Sequence, residues 1–261
     1  MTAQIRHAAV IGGATGIGSG VCKALVARGY HVHLCDIDLP GARALAAELG
    51  GDRVTCYETD VTSQVSLTET ERAIRTTAAD LAYVFINAGA ISLKRFLDTT
   101  DEDWQWLLGI NFFGTVRAAR TFLPGMLAQD VPSRLLVTSS VAALRTPPME
   151  GQTMYMASKS AQLGLCNGLR TELEGTSVGL SVIFPGAVRS SLRAKSESRR
   201  PGAIRLEVPA RVAGPGFIEP AEAGERIVAG AEAGRPFITT HPDEGPLVRE
   251  AQDRVMTAFA D

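Results

Sequence analysis

Seven short β-type runs alternate with seven longer amphipathic stretches along this chain, and that alternation constrains the fold more than any single motif does. The runs at 7–11, 31–36, 53–58, 82–87, 134–139, 178–185 and 236–239 read as strands. The stretches at 18–27, 40–49, 63–77, 101–127, 153–174, 220–233 and 243–259 read as helices. Strict βαβα order implies parallel strands with helices on both faces. The expectation is therefore an α/β chain folded as a single doubly wound domain over 1–261, with about seven mostly parallel strands. Such a sheet binds ligands beyond the carboxyl ends of its strands, so the residues there are the functional candidates.

Composition narrows the partners. A formal net charge of −2 gives no general attraction to nucleic acid or to an anionic membrane. No run approaches the ~18 consecutive apolar residues of a membrane helix, and no charged-then-apolar leader opens the chain. Cys22, Cys35, Cys56 and Cys166 show no C-x-x-C spacing and sit among apolar or small residues, which fits reduced packing cysteines in a cytoplasmic protein. His7, His31 and His33 lack metal-ligand spacing, so no metal is expected. One segment breaks the rhythm: 187–217 is long, punctuated by proline and glycine, and weakly periodic, which suits a substrate-binding loop or lid.

Gly12-Gly13-Ala14-Thr15-Gly16-Ile17-Gly18 follows the first strand and opens the first helix, where backbone N–H groups and the positive helix end can hold a pyrophosphate. A lone glycine cluster is weak evidence. Its context is stronger, because Asp36 closes the second strand. A carboxylate there can accept from both adenosine ribose hydroxyls and would repel a 2′-phosphate, which favours NAD over NADP. Asp60-Val61 and Asn87-Ala88-Gly89, after the third and fourth strands, would flank adenine and ribose.

Tyr155 and Lys159 stand one helical turn apart on a shared face. Bringing a phenol from about 10 to neutrality takes about 4 kcal/mol, which the Lys159 ammonium and an oxidised nicotinamide would supply. Alone, Y-x-x-x-K also describes an ordinary surface pair. Two more polar positions join it. Ser139-Ser140 ends the fifth strand, where a hydroxyl could hold a substrate oxygen, and Asn111 lies amid apolar helix neighbours, so it should be buried and need a partner. A water bridging it to Lys159 would supply one.

On these residues the chain resembles the short-chain dehydrogenase/reductase family over essentially its full length, through Gly12-x-x-x-Gly16-Ile17-Gly18, Asp36, Asp60-Val61, Asn87-Ala88-Gly89, Asn111-x-x-Gly114, Ser139-Ser140, Tyr155-x-x-x-Lys159 and Pro185-Gly186. The resemblance implies a Rossmann fold, a catalytic tetrad of Asn111, Ser140, Tyr155 and Lys159, and a nicotinamide ribose held by Lys159 and Tyr155. It places Val188 and Ser190, after Pro185 and Gly186, at the carboxamide, and implies a homotetramer or homodimer packed through the two long helices. Two departures stand out: Ile11 and Ile86 occupy positions where the family usually has threonine and asparagine. The segment from Ser140 to Tyr155 is also slightly long, which leaves Ser139 and Ser140 both open as the catalytic serine.

These residues imply an alcohol dehydrogenase or ketone reductase: Tyr155 takes the hydroxyl proton, Ser140 orients the oxygen, and Asn111 with water relays the proton outward. Leu144, Pro147, Pro148 and Met149 should wall a hydrophobic pocket for an aromatic or alicyclic secondary alcohol. The stretch 236–242 resembles family members that oxidise benzylic alcohols of lignin-derived aromatics. His241 there reads as structural. Arg189, Arg193, Lys195, Arg199, Arg200, Arg205 and Arg211 against Glu197 and Glu207 read as a solvated basic loop or as a reader of a substrate anion. The rival readings are an NADP-dependent reductase of 3-ketoacyl groups on acyl carrier protein and a catalytically silent NAD-binding regulator.

Overall fold

The computed structural model describes residues 6–145, 150–199 and 216–260. Its centre is one parallel sheet in the order β3-β2-β1-β4-β5-β6-β7. The strands are β1 (His7–Ile11), β2 (His31–Asp36), β3 (Val54–Glu58), β4 (Tyr83–Ile86), β5 (Ser133–Thr138), β6 (Val178–Phe184) and β7 (Phe237–Thr239). Between and after them lie α1 (Gly16–Ala27), α2 (Leu39–Glu48), α3 (Gln64–Arg75), α4 (Asp101–Ala128), α5 (Thr153–Glu172), α6 (Leu192–Arg199), α7 (Pro220–Glu232) and α8 (Gly245–Met256). The strand order reverses between β1 and β4, where the chain crosses from one half of the sheet to the other. A crevice opens there at the carboxyl ends.

Both sheet faces are covered, which is why the central strands read as continuous apolar runs. Alternate residues of β1 feed two cores. Ala8 and Val10 pack with Val21, Leu25, Ile227 and Val228 beneath α1 and α7, whereas Ala9 and Ile11 pack with Leu67, Ile74, Phe122 and Cys166 beneath α3, α4 and α5. The helices α1 and α7 touch backbone to backbone: a Cβ on Gly20 would stand 1.7 Å from the Pro220 carbonyl oxygen, and one on Gly224 would stand 2.0 Å from the Gly20 carbonyl carbon. The four cysteines are free, three of them buried. No helix among the described residues is long and apolar enough to cross a membrane, and among those residues no group of three or more His, Cys, Asp or Glu side chains could hold a metal.

One sequence expectation changes here. The segment expected to be a weakly periodic loop contains α6, a short, largely polar helix with Ser196 as its buried residue. Ile11 and Ile86, the two departures from the family pattern, are cross-strand partners in the β1–β4 register and each is 1% exposed. An apolar pair stands there, so neither residue leaves a polar group without its mate.

Candidate active site

The glycine turn forms a cradle that side chains would close. Gly12 has φ +83° and a Cβ there would meet the Ala88 nitrogen at 2.5 Å, while a Cβ on Gly18 would lie 2.0 Å from the Gly12 carbonyl oxygen. The turn hangs from Cys35, whose carbonyl accepts from Gly12 N at 2.7 Å, and from Asn87, whose Nδ2 donates to the Gly12 carbonyl at 2.8 Å. Thr15 caps α1 by its backbone, with no side-chain cap bond and no acid in the first turn. The free N–H groups of that turn therefore remain open to an anion. Gly16, at φ +55°, faces Ser190 of the lid, and Ile17 lines the same cleft.

At one end of the cleft, each oxygen of Asp36 takes one backbone N–H: Ala14 N at 2.9 Å on Oδ2 and Asp38 N at 2.9 Å on Oδ1. The carboxylate is thus held rigidly, and a carboxylate oxygen retains a second lone-pair direction for a ribose hydroxyl. Asp60 turns its own carboxylate to Thr62, at 2.8 Å from the nitrogen and 2.7 Å from the hydroxyl. Its neighbour Val61 is buried against α4, where a Cβ on Gly114 would come within 2.9 Å of it. That close approach explains the glycine three residues after Asn111.

At the far end, Tyr155, Lys159 and Ser140 converge beside β5. Lys159 Nζ lies 5.8 Å from the centre of the Tyr155 ring and donates to the Thr138 carbonyl at 2.9 Å. Burial pushes the Tyr155 phenol up, and a hydrogen bond with Ser140 draws it partly back; burial also brings the Lys159 ammonium down to about 7. With the protein groups alone, desolvation outweighs the expected help of Lys159 to the phenolate. Both serines line the cleft, but Ser139 donates its hydroxyl to the Lys159 carbonyl at 2.9 Å, whereas Ser140 is the one hydrogen-bonded to Tyr155.

Asn111 is fully buried, as expected, but its partners are protein groups. Oδ1 accepts from Ala90 N at 2.7 Å, and Nδ2 donates to the Ala90 carbonyl at 3.0 Å and to Ser158 Oγ at 2.9 Å. Its carbonyl accepts from Thr115 Oγ1 at 2.7 Å and Gln162 Nε2 at 2.9 Å. The residue clamps the chain after β4 onto α5, and Gly89 lies against it and Lys159: a Cβ there would be 3.3 Å from Asn111 Oδ1 and 3.6 Å from Lys159 Nζ.

Asp36 and Tyr155 belong to one cleft of about 570 Å³, within the usual range for small-molecule sites. Asp36 ends β2 and Tyr155 flanks β5, three strand spacings apart, or about 14 Å. Asn87, Ala88, Gly89, Pro185, Gly186, Val188 and Ser190 line it between those ends. The acid corner, the glycine cradle and the open helix end fit a dinucleotide.

The pocket wall departs from expectation. Leu144 packs on the core and does not line the cleft. Pro147, Pro148 and Met149 lie outside the described residues, as do Arg200, Arg205, Glu207 and Arg211. Among the described residues, Trp106 and Ile110, one turn apart on α4, and Leu192 on α6 contribute apolar surface to the cleft. Their i, i+4 spacing beside Asn111 is a signal the sequence did carry. The lid also supplies Lys195 and Arg199 to the wall, and Ser196 Oγ accepts from Ile91 N at 3.1 Å. Arg145, beyond β5, pairs with Glu244, just before α8, at 2.9 Å.

Comparison with known proteins agrees with this geometry. A family model described as short chain dehydrogenase matches residues 6–201. The C alpha-dehydrogenase of Sphingobium sp. (strain NBRC 103272 / SYK-6) is 25% identical over 99% of this chain and 86% of its own length. The fluoren-9-ol dehydrogenase of Terrabacter sp. (strain DBF63) is 32% identical over 70% of this chain and 56% of its own. A short-chain dehydrogenase/reductase from Burkholderia phymatum, solved in complex with NAD, superposes with a TM-score of 0.88 at 26% identity, covering 97% of this chain and 95% of that one.

Proposed function

Because this chain belongs to the short-chain dehydrogenase/reductase family, we propose that it is an NAD(H)-dependent oxidoreductase interconverting a hydrophobic secondary alcohol, aromatic or alicyclic, and its ketone. The observation that carries this reading is the convergence of Tyr155, Ser140 and Lys159 at one end of a cleft whose other end is Asp36. Pro185, Gly186, Val188 and Ser190 would hold a nicotinamide beside Tyr155, where it would supply hydride-transfer chemistry to the substrate carbon. Tyr155 takes the hydroxyl proton in oxidation and returns it in reduction. Ser140 orients the oxygen by hydrogen bonding, Lys159 supports the phenolate electrostatically, and Asn111 fixes the backbone against which both stand.

For the cofactor, a carboxylate with open lone pairs at the end of β2 supports NAD, as does the NAD complex of the Burkholderia phymatum relative. For the substrate, Trp106, Ile110 and Leu192 support an apolar ring, in line with the printed names of the Sphingobium and Terrabacter relatives. Among the described residues, three of the basic side chains expected to read an anion are paired within the protein: Arg189 with Glu219 at 2.8 Å, Arg193 with Glu197 at 3.0 Å and Lys195 with Asp38 at 2.5 Å. That favours a neutral substrate over one delivered on an acidic carrier. Phe113 and Leu127, exposed on α4, favour assembly of copies through α4 and α5.

The test is an NAD-reduction screen at 340 nm with aryl, cyclic and steroid alcohols and with hydroxy acids, run beside Tyr155→Phe. The expected result is turnover of apolar secondary alcohols that falls at least a hundredfold in the variant with NADH still bound. Wild-type binding of NADH without turnover of any substrate would establish the silent regulator instead.

A further inference from the structure

We propose that His241 is a positioning residue: its ring pins both roots of the lid segment and thereby fixes the backbone of residues 186–190 that faces the cofactor. The inference rests on the reading of the cleft as a cofactor site.

The ring is buried at 4% exposure and meets a partner at each nitrogen. Gly186 N donates to Nδ1 at 3.1 Å, Thr240 Oγ1 stands 2.7 Å from the same atom, and Nε2 lies 3.0 Å from the Gly216 carbonyl oxygen. Partner chemistry fixes the tautomer. A carbonyl only accepts, so Nε2 carries the proton, and a backbone N–H only donates, so Nδ1 presents its lone pair. The ring packs flat on bare backbone, since a Cβ on Gly186 would stand 2.6 Å from His241 Cγ.

Gly186 and Gly216 bracket the lid. The chain leaves the sheet after Pro185 and returns beside its own departure, in a parallel bridge between Val188 and Ile218: Arg189 N donates to the Ile218 carbonyl at 3.0 Å and Ile218 N to the Ala187 carbonyl at 3.1 Å. His241 closes the same two strands of chain from beneath. Thr239 anchors it, with its hydroxyl donating to the Phe184 carbonyl at 3.1 Å and accepting from His241 N at 3.1 Å. Holding Gly186 and Gly216 fixes the chain that leads into α6 and the chain that enters the Val188–Ile218 bridge.

Three variants separate the two bonds. His241→Asn keeps an acceptor near the Nδ1 position, His241→Gln reaches the Gly216 carbonyl with an amide N–H, and His241→Leu offers neither. The measurements are NADH affinity by fluorescence titration, the rate of trypsin cleavage at Arg193, Lys195 and Arg199, and thermal midpoint. His241→Asn should hold NADH within about twofold of wild type while the lid is cut about tenfold faster, the range one buried hydrogen bond covers. His241→Gln should show the reverse, and His241→Leu both losses. If the three variants change both readouts together in proportion to their thermal midpoints, the role is merely structural and the proposal falls; unchanged readouts overturn it as well. A wild type that binds no NADH would sink the functional reading, yet the cleavage rates would still decide whether His241 pins the lid.

Discussion

The ammonium of Lys195 on α6 reaches across the mouth of the cleft to the carboxylate of Asp38, 2.5 Å away and two residues beyond Asp36. The contact depresses the Asp38 carboxyl and joins the lid to the start of α2, which Asp38 also caps through Gly41 N at 3.0 Å. The pair is about one-third exposed, so its worth is about 0.2–1 kcal/mol, or about 1.5- to 5-fold in an equilibrium. Lys195→Met should accelerate NADH dissociation by that factor in stopped-flow, and added salt should shrink the difference between variant and wild type. An unchanged rate at low salt would mean that the ion pair does not hold the lid over the cofactor.

Asp36 makes a sharper claim about the cofactor. Two hydrogen bonds to a charged group contribute about 1.5–3 kcal/mol each, and the carboxylate opposes a 2′-phosphate by like charge. Asp36→Ala should lower kcat/KM with NAD by about two to four orders of magnitude and narrow the gap to NADP. A wild type that prefers NADP in side-by-side kinetics would refute the ribose argument.

The pair Ile11 and Ile86 gives a stability test free of the chemistry. Ile11→Thr places a hydroxyl in the core opposite an apolar partner, at a cost of about 1–3 kcal/mol. Adding Ile86→Asn supplies a mate across the register, so the double variant should lose less than the sum of the singles in urea unfolding. Strict additivity would show that the two positions do not act as a pair.

The imidazoles of His7, His31 and His33 cluster at the other end of the sheet, with His7 Nδ1 3.1 Å from His33 Nε2 and His33 Nδ1 3.1 Å from the Tyr57 hydroxyl. Burial lowers all three, His33 to about 3, with its two neighbours adding repulsion. The folded state therefore holds these rings neutral while the unfolded chain protonates them near 6.5. Their contribution is complete above that pH and is lost as pH falls from 6.5 toward 3, each ring costing at most about 1.4 kcal/mol per pH unit. Urea midpoints should drop between pH 6.5 and 4.5, and His33→Phe should flatten that slope; equal slopes would place the acid sensitivity elsewhere.

How much of this was legible beforehand depends on the reach of each signal. Strand and helix positions follow from local periodicity and turn residues, so β1 and β2 fall where they were expected and the other bounds differ by at most three residues. The segment at α6 was missed because Leu192–Arg199 is mostly polar and carries no apolar stripe; what orders it is long-range, through Asp38 and Ile91. Asn111 was recognised as buried, but no local pattern reveals that the Ala90 backbone will arrive to meet it. Trp106 and Ile110 were overlooked for the opposite reason, since two apolar residues one turn apart on a long helix look like ordinary core.

The bare contact of Gly20 with Pro220 and Gly224 leaves no interlocking side chains that could re-seat at a new angle. The helix whose amino end faces the cleft is thus fastened to the last helix before β7 like a beam bolted to a frame. A descendant of this sequence adapting to a new alcohol would have little freedom to tilt α1, and its variation would collect instead in Trp106, Leu192 and the lid.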